Sequence, residues 1–232
     1  MKKAVFFAVA LAFILSVSVQ SYAQVPKGLY AGVTGGFSVA EDMSSSVTNR
    51  FQAWDSIRFD TSLKAGYLFG AKVGWQTPFT DRIMALELEL LNMGHEMDTA
   101  KSLLYYPESS VDGRVFISSL MTNVIARYPK GKVHPYVGIG GGLAYMAFDE
   151  IKNGYPPFWI NSGSDVVLAY QLMAGVEIDI AKNFVLGVGY KYFDAMKATY
   201  ESDFGGPGTY VPAEVEMDYK SHNFMLSFSY LF

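Results

Sequence analysis

The segment Asn223-Phe-Met-Leu-Ser-Phe-Ser-Tyr-Leu-Phe232 alternates with period two. Successive side chains of a strand point to opposite sides, so Phe224, Leu226, Phe228, Tyr230 and Phe232 share one face, and Asn223, Met225, Ser227, Ser229 and Leu231 share the other. The stretch 165–180 repeats the pattern, with Val166, Leu168, Tyr170, Leu172, Ala174, Val176, Ile178 and Ile180 opposed by residues such as Gln171, Gly175, Glu177 and Asp179. Working outward from these two, the same template predicts eight strands, at 28–39, 62–76, 82–95, 113–128, 133–148, 165–180, 184–196 and 218–232. Tight turns at 77–81, 129–132 and 181–183 alternate with long polar loops at 40–61, 97–112, 149–164 and 197–217. In an up-and-down antiparallel sheet that alternation puts every long loop at one end.

Half of the residues are apolar and 16% are aromatic. Beyond the N-terminus no stretch approaches the roughly 20 apolar residues that a membrane-crossing helix needs. The start of the chain reads as a signal peptide over residues 1–23. Lys2 and Lys3 form a positive end, an apolar run follows from Ala4 to Val19, and Ser21-Tyr22-Ala23 carries small residues at the two positions a signal peptidase reads. Residues 24–232 then form one domain, with no linker dividing them. The chain carries a net charge of −4, and removing Lys2 and Lys3 takes it to −6, so no basic field exists to hold nucleic acid. Cysteine is absent, which excludes disulfides, zinc–thiolate sites and a lipid-modified cysteine anchor. No cofactor is expected.

Two architectures fit eight alternating strands: a soluble barrel or sandwich with its greasy face inward, and a membrane barrel with that face toward lipid. The second face decides. Were the apolar face interior, Leu63, Tyr67, Phe69, Val73 and Trp75 with their equivalents would need a wide lumen, and the other face would be densely charged. It is instead rich in glycine, with Gly66, Gly70 and Gly74 in one strand, Gly138, Gly140 and Gly142 in another, and Gly187 and Gly189 in a third. Small residues belong where an eight-stranded wall curves round a lumen only wide enough for side chains. The expected fold is therefore all-β, an eight-stranded antiparallel up-and-down transmembrane β-barrel. Charges on the glycine-rich face balance: Lys64, Lys72, Arg127 and Lys191 against Glu87, Glu89, Glu177 and Asp179. A lumen sealed by paired charges is the expected arrangement, because unpaired charge in a confined interior costs several kcal/mol. Export puts the termini and short turns in the periplasm and the long loops outside the bacterial outer membrane. Trp75, Tyr128, Phe184 and Phe232 gather at the expected periplasmic strand ends, where amphipathic rings favour the interface.

The run Ser119-Leu-Met-Thr-Asn-Val124, the turn Pro129-Lys-Gly-Lys132 and the strand His134-Pro-Tyr-Val-Gly-Ile-Gly-Gly-Gly-Leu-Ala-Tyr145 resemble the OmpA-like and opacity-type small outer-membrane barrel family. Gly28-Leu-Tyr-Ala-Gly-Val-Thr-Gly-Gly-Phe37 and Ser227-Phe-Ser-Tyr-Leu-Phe232 resemble that family's first and last strands. The resemblance implies that Phe228, Tyr230 and Phe232 act as a C-terminal sorting signal for the barrel-assembly machinery. It also implies contact with outer-membrane lipid and lipopolysaccharide. The family includes adhesins, immune-facing surface proteins and cell-wall tethers; a chain ending on its last strand is not expected to tether.

Chemistry-bearing patterns are few. Gly138-Ile-Gly-Gly-Gly142 lacks the helix that a phosphate-cradling loop opens, so it reads as strand. Glu87 and Glu89 share one strand face and suit either a cation site or, better, ion pairs with the basic residues. His222 has the lipid-facing parity near the outer end of the last strand, where a lipid-directed base could sit. Its neighbour Ser221 points the other way, so the two cannot form a nucleophile–base pair. His95 and His134 read as structural. Recognition falls to the loops, with Trp54, Phe158, Trp159 and Tyr210 as candidate contacts for an extracellular or host ligand, or else as rings that cap the mouth. The expected function is that of a non-enzymatic outer-membrane barrel with a closed lumen and four exposed loops, serving surface interaction or envelope integrity. A lipid-A-modifying enzyme and a narrow, porin-like channel for small solutes are the alternatives.

Overall fold

The structure is a computed structural model and describes residues 28–49, 57–102, 109–149, 151–154, 157–206 and 209–232. The expected signal peptide and Trp54 lie outside those residues. The strands are β1 (Leu29–Ala40), β2 (Met43–Asn49), β3 (Ile57–Leu63), β4 (Gly66–Gln76), β5 (Met84–Ser102), β6 (Ser109–Asp112) and β7 (Arg114–Arg127). They continue with β8 (Val133–Phe148), β9 (Ile151–Gly154), β10 (Pro157–Ile160), β11 (Gly163–Ala181), β12 (Phe184–Gly206) and β13 (Thr209–Leu231). All the pairings are antiparallel. Eight of the strands close a ring in the order β1, β4, β5, β7, β8, β11, β12, β13 and back to β1. These are the eight expected strands.

Among the described residues, most of the expected long loops is strand. β2 and β3 pair with each other and with β13 and β5, β6 pairs with β5 and β9, and β10 pairs with β9 and β12. Together with the distal halves of β5, β12 and β13 they close a second ring stacked on the first. The wall thus continues past the level where greasy side chains stop facing outward.

The reason is visible in β13. From Phe224 to Phe232 the even-numbered residues point outward and are apolar, while Asn223 and Ser229 are buried inside. From Ala213 to Tyr219 the odd-numbered residues Ala213, Val215, Met217 and Tyr219 are buried, and the outward positions are Glu214, Glu216, Asp218 and Lys220. One continuous strand keeps its geometry while the polarity of its two faces exchanges. That exchange is what a wall passing from lipid into water requires. Below it the outside is greasy and the lumen polar; above it the outside is charged, and Met43, Val47, Phe59, Met97, Val111, Phe148 and Tyr200 belong to a continuous apolar core. β12 makes the same transition through a bulge between Ala195 and Ala198, which leaves Met196 and Lys197 both facing out.

The outward apolar band carries Val33, Phe37, Val73, Leu86, Leu88, Leu120, Ile139, Leu168, Leu172, Val188, Leu226 and Phe228, all exposed. Along β13 the nine residues from Phe224 to Phe232, rising about 3.3 Å each at a typical barrel tilt of ~40°, give a band roughly 20–23 Å tall. That matches the hydrocarbon height a membrane barrel presents. At the end of the barrel that holds the termini, Phe184 stacks on Phe228 (5.4 Å) and meets Tyr230 edge-on (5.2 Å), and Trp75 meets Phe79 at 6.2 Å. Thr77–Asp81 is a tight turn, wound as a short 3-10 helix at Pro78–Thr80.

Candidate functional site

Inside the lipid-level ring, β4, β5, β7, β11 and β12 each direct a charge at the axis, and the side chains form one connected network. Lys191 Nζ donates to Glu89 at 2.6 Å, with the two side chains 1% and 3% exposed. Lys72 Nζ lies 3.3 Å from Glu87 and 3.8 Å from Glu177, and Arg127 lies 3.5 Å from the other oxygen of Glu177. Neutral side chains join these pairs. Asn123 Nδ2 donates to Glu87 (3.1 Å) and Glu89 (3.2 Å), Gln171 Nε2 donates to Glu89 (2.9 Å) and to Asn123 Oδ1 (2.6 Å), and the Tyr30 hydroxyl donates to Glu87 (2.9 Å). Three cations therefore meet three carboxylates. Each carboxylate lies near at least one cation, which offsets the desolvation that a lone buried charge would suffer.

Glycines make room for this packing. A side chain at Gly74 would strike the Tyr30 ring, and one at Gly140 would strike the amide oxygen of Asn123. A cavity of about 20 Å³, lined by Tyr30, Arg127, Glu177 and Ser229 among others, lies near the terminal end of the lumen. It is the size of a single water. Arg127 Nε has no protein partner there.

Two of the eight expected lumen charges stand elsewhere. Lys64 falls in the break between β3 and β4, where the alternation is interrupted; its side chain is half exposed and lies 3.9 Å from Asp98. Asp179 reaches the mouth at the terminal end, 42% exposed, and bonds His134 Nε2 at 3.0 Å, while His134 Nδ1 faces the Tyr128 carbonyl at 2.8 Å. The balance survives because one cation and one anion leave together. Tyr30, Asn123 and Gln171 were not singled out as site residues by sequence, and His134 read there as structural. A polar residue at an inward position opposite a charged one on the neighbouring strand is the signal that would have found Asn123, which pairs with Glu87 in the register.

At the waist, where the faces exchange, the inside holds a second cluster. His95 Nδ1 faces the Lys64 carbonyl at 3.0 Å, and its Nε2 faces the Tyr219 hydroxyl at 2.8 Å and Ser38 Oγ at 3.1 Å. A carbonyl can only accept, so Nδ1 carries the proton and Nε2 accepts. In the distal ring Tyr200 donates to Met217 Sδ at 3.6 Å, and burial pushes its phenol well above the usual range. On the outside, His222 bridges Glu41 (Nε2 to Oε1, 3.2 Å) and the Tyr190 hydroxyl (2.7 Å from Nδ1). Ser221 is buried on the opposite face, as its parity dictates. Phe228, Tyr230 and Phe232 face outward along the last strand. Phe158 and Trp159 fall in β10 and Tyr210 in β13; Trp159 and Tyr210 both pair with Gly205. Among the described residues no group of three or more His, Asp or Glu is arranged to hold a metal ion.

Uncharacterised proteins of Brucella abortus strain 2308 and Brucella suis biovar 1 are 27% identical over 155 residues, which is 57% of this chain and 53% of theirs. The chain thus spans about half the length of the curated relatives it matches. Among solved structures, the outer membrane protease OmpT of Escherichia coli superposes with a TM-score of 0.53 at 8% identity, covering 93% of this chain and all of that one. Neisserial surface protein A covers 89% of this chain and 98% of its own, with a TM-score of 0.46 and 13% identity. At 8% identity the likeness to the protease is one of fold alone. The family model described as the outer membrane protein beta-barrel domain matches residues 9–232. A closed antiparallel wall with a greasy outside and a polar inside agrees with that match, and the chain belongs to the outer membrane protein beta-barrel domain family.

Proposed function

We propose that this protein is a non-enzymatic scaffold of the outer membrane whose closed lumen carries nothing across, and whose distal ring stands outside the cell as a surface for interaction or as a contribution to envelope integrity. The carrying observation is that both halves of the interior are filled by different chemistry: a charge-paired network at lipid level and an apolar core above it. A transport path would need water through both. The outward face of the distal ring, with Glu214, Glu216 and Asp218, suits contact with water, and twelve residues of β13 from Thr209 to Lys220 would carry it roughly 30 Å beyond the apolar band. In this reading the C-terminal face of Phe228, Tyr230 and Phe232 is offered to the barrel-assembly machinery, lipid and lipopolysaccharide surround the band, and an extracellular ligand meets the distal hairpins. Cysteine substitutions at Glu216 and Lys182, probed with a membrane-impermeant maleimide on intact cells, test the orientation. Labelling at Glu216 alone is expected, and labelling at Lys182 alone would reverse it.

One observation favours a second reading. The Glu41–His222–Tyr190 relay sits on the outer wall at the level where lipid meets water. With Nε2–H donating to Glu41, Nδ1 accepts from the Tyr190 hydroxyl, a carboxylate–imidazole–hydroxyl chain of the kind a lipid-modifying enzyme would use. Loss of acyl chains from lipid A that is abolished by His222→Ala would replace the scaffold reading with this one.

A further inference from the structure

We propose that the outer wall at the waist carries a binding site for a zwitterionic phospholipid. The inference rests on the reading of the apolar band as lipid-embedded. A groove of about 1160 Å³ runs along the outside there, from Phe37 on β1 to Val166 on β11. That exceeds the roughly 300–1,000 Å³ of sites for small ligands, leaving room for acyl chains. Its floor is built from small outward residues on three consecutive strands, Gly94, Ser118 and Ala147, and its banks from Tyr67, Phe116 and Tyr145. Register explains the shape: Tyr67 pairs with Gly94, Gly94 with Phe116 and Phe116 with Ala147, so large and small residues alternate across the wall. The Tyr67 ring lies across Gly94, where any side chain would collide with it.

Charges stand only on the side of the groove toward the distal ring. Lys64 and Arg114 supply two cations, Glu96 and Asp149 two carboxylates. Arg114 meets Glu96 and Lys64 meets Asp98 only at 3.9 Å, with all four side chains more than half exposed. Such pairs are weak and open readily to a ligand. A greasy trough whose rim bears both signs complements a headgroup that bears both signs, a phosphate for Arg114 and Lys64 and an ammonium for Glu96 and Asp149. A purely anionic headgroup would face the carboxylates unpaired.

The test uses the full chain reconstituted in vesicles, with Phe116→Trp as a reporter and brominated phosphatidylethanolamine, phosphatidylglycerol or lipid A as quenchers. The reporter is placed in a Trp54→Phe, Trp159→Phe background, so that quenching of the protein without it comes from Trp75 alone, at the opposite end of the band; that signal is subtracted and supplies the control. Phosphatidylethanolamine is expected to associate with the reporter roughly five-fold more tightly than phosphatidylglycerol, the scale of exposed charge contacts. Filling the trough by Ala147→Phe, or reversing its rim by Arg114→Glu, should erase that preference while the Trp75 signal stays unchanged. Equal quenching by all three lipids, tighter association of phosphatidylglycerol or lipid A, or a preference that survives both substitutions would overturn the proposal. None of these outcomes bears on whether the lumen is closed or which way the barrel faces.

Discussion

Glu89→Gln removes one charge from the most enclosed ion pair of the lumen. Glu89 accepts from Lys191 at 2.6 Å, from Gln171 at 2.9 Å and from Asn123 at 3.2 Å, and both charged side chains are all but sealed from solvent. The substitution leaves the Lys191 ammonium without its counter-charge. Breaking a buried pair from one side costs about 3–5 kcal/mol. With a urea dependence of about 2 kcal/mol per molar, the unfolding midpoint should fall by roughly 1.5–2.5 M. Intrinsic tryptophan fluorescence, followed through reversible urea unfolding in phospholipid vesicles, reads this directly. The companion variant Glu89→Gln with Lys191→Met removes both charges, and it should return to within about 1 kcal/mol of the wild type because no charge is then left alone. If the single variant unfolded with the wild type, or the double variant were no better than the single, the pair would not be the buried charge couple described above.

Further expectations concern the wall. Leu226, exposed on the lipid face, should lose about 2–4 kcal/mol on Leu226→Arg if it sits near the bilayer midplane, measured by the same unfolding assay. Gly74→Val should push a side chain into the Tyr30 ring and lower stability by about 1–3 kcal/mol, as overpacking does, whereas the same change at Gly35, which faces open space, should be close to neutral. Tyr219→Phe removes the donor to His95 Nε2 and should cost about 1 kcal/mol, with slowed exchange lost first from amides around β13 and β5 at the waist. Glu216→Ala, on the charged outer face, should change stability by less than about 1 kcal/mol, since its partner Lys197 is exposed.

The eight-stranded ring could be read from alternation alone because a strand between two solvents must segregate its faces, and β8 runs over Val133–Phe148 as the pattern predicts. β12 and β13 were expected to end near Met196 and Asp218, yet they continue to Gly206 and back from Thr209. Outward grease, the mark of a lipid-level strand, stops where lipid stops. The signal for continuation was present in Ala213-Glu-Val-Glu-Met-Asp-Tyr-Lys220, a strict alternation of the opposite polarity. The bulge at Ala195–Ala198 hid the matching pattern in β12, since one slip of register moves every side chain to the other face. Lumen charges were legible by parity wherever the strand was unbroken. Lys64 was misplaced because parity fails across the break between β3 and β4, and Asp179 because it lies just short of the end of β11 at Ala181, at the mouth. Glu41 could not be linked to His222 from sequence; the contact joins residues 181 positions apart and exists only once the barrel closes.

A non-conducting scaffold requires a shut lumen. Planar-bilayer recording of the purified full-length protein tests this most directly, alongside Glu87→Ala with Glu89→Ala, which leaves Lys72 and Lys191 short of counter-charge. The wild type should insert without steady conductance steps, and the double substitution should lower stability before any conductance appears. Regular, salt-dependent conductance through the wild-type barrel would contradict a closed, charge-paired interior and put a channel in its place.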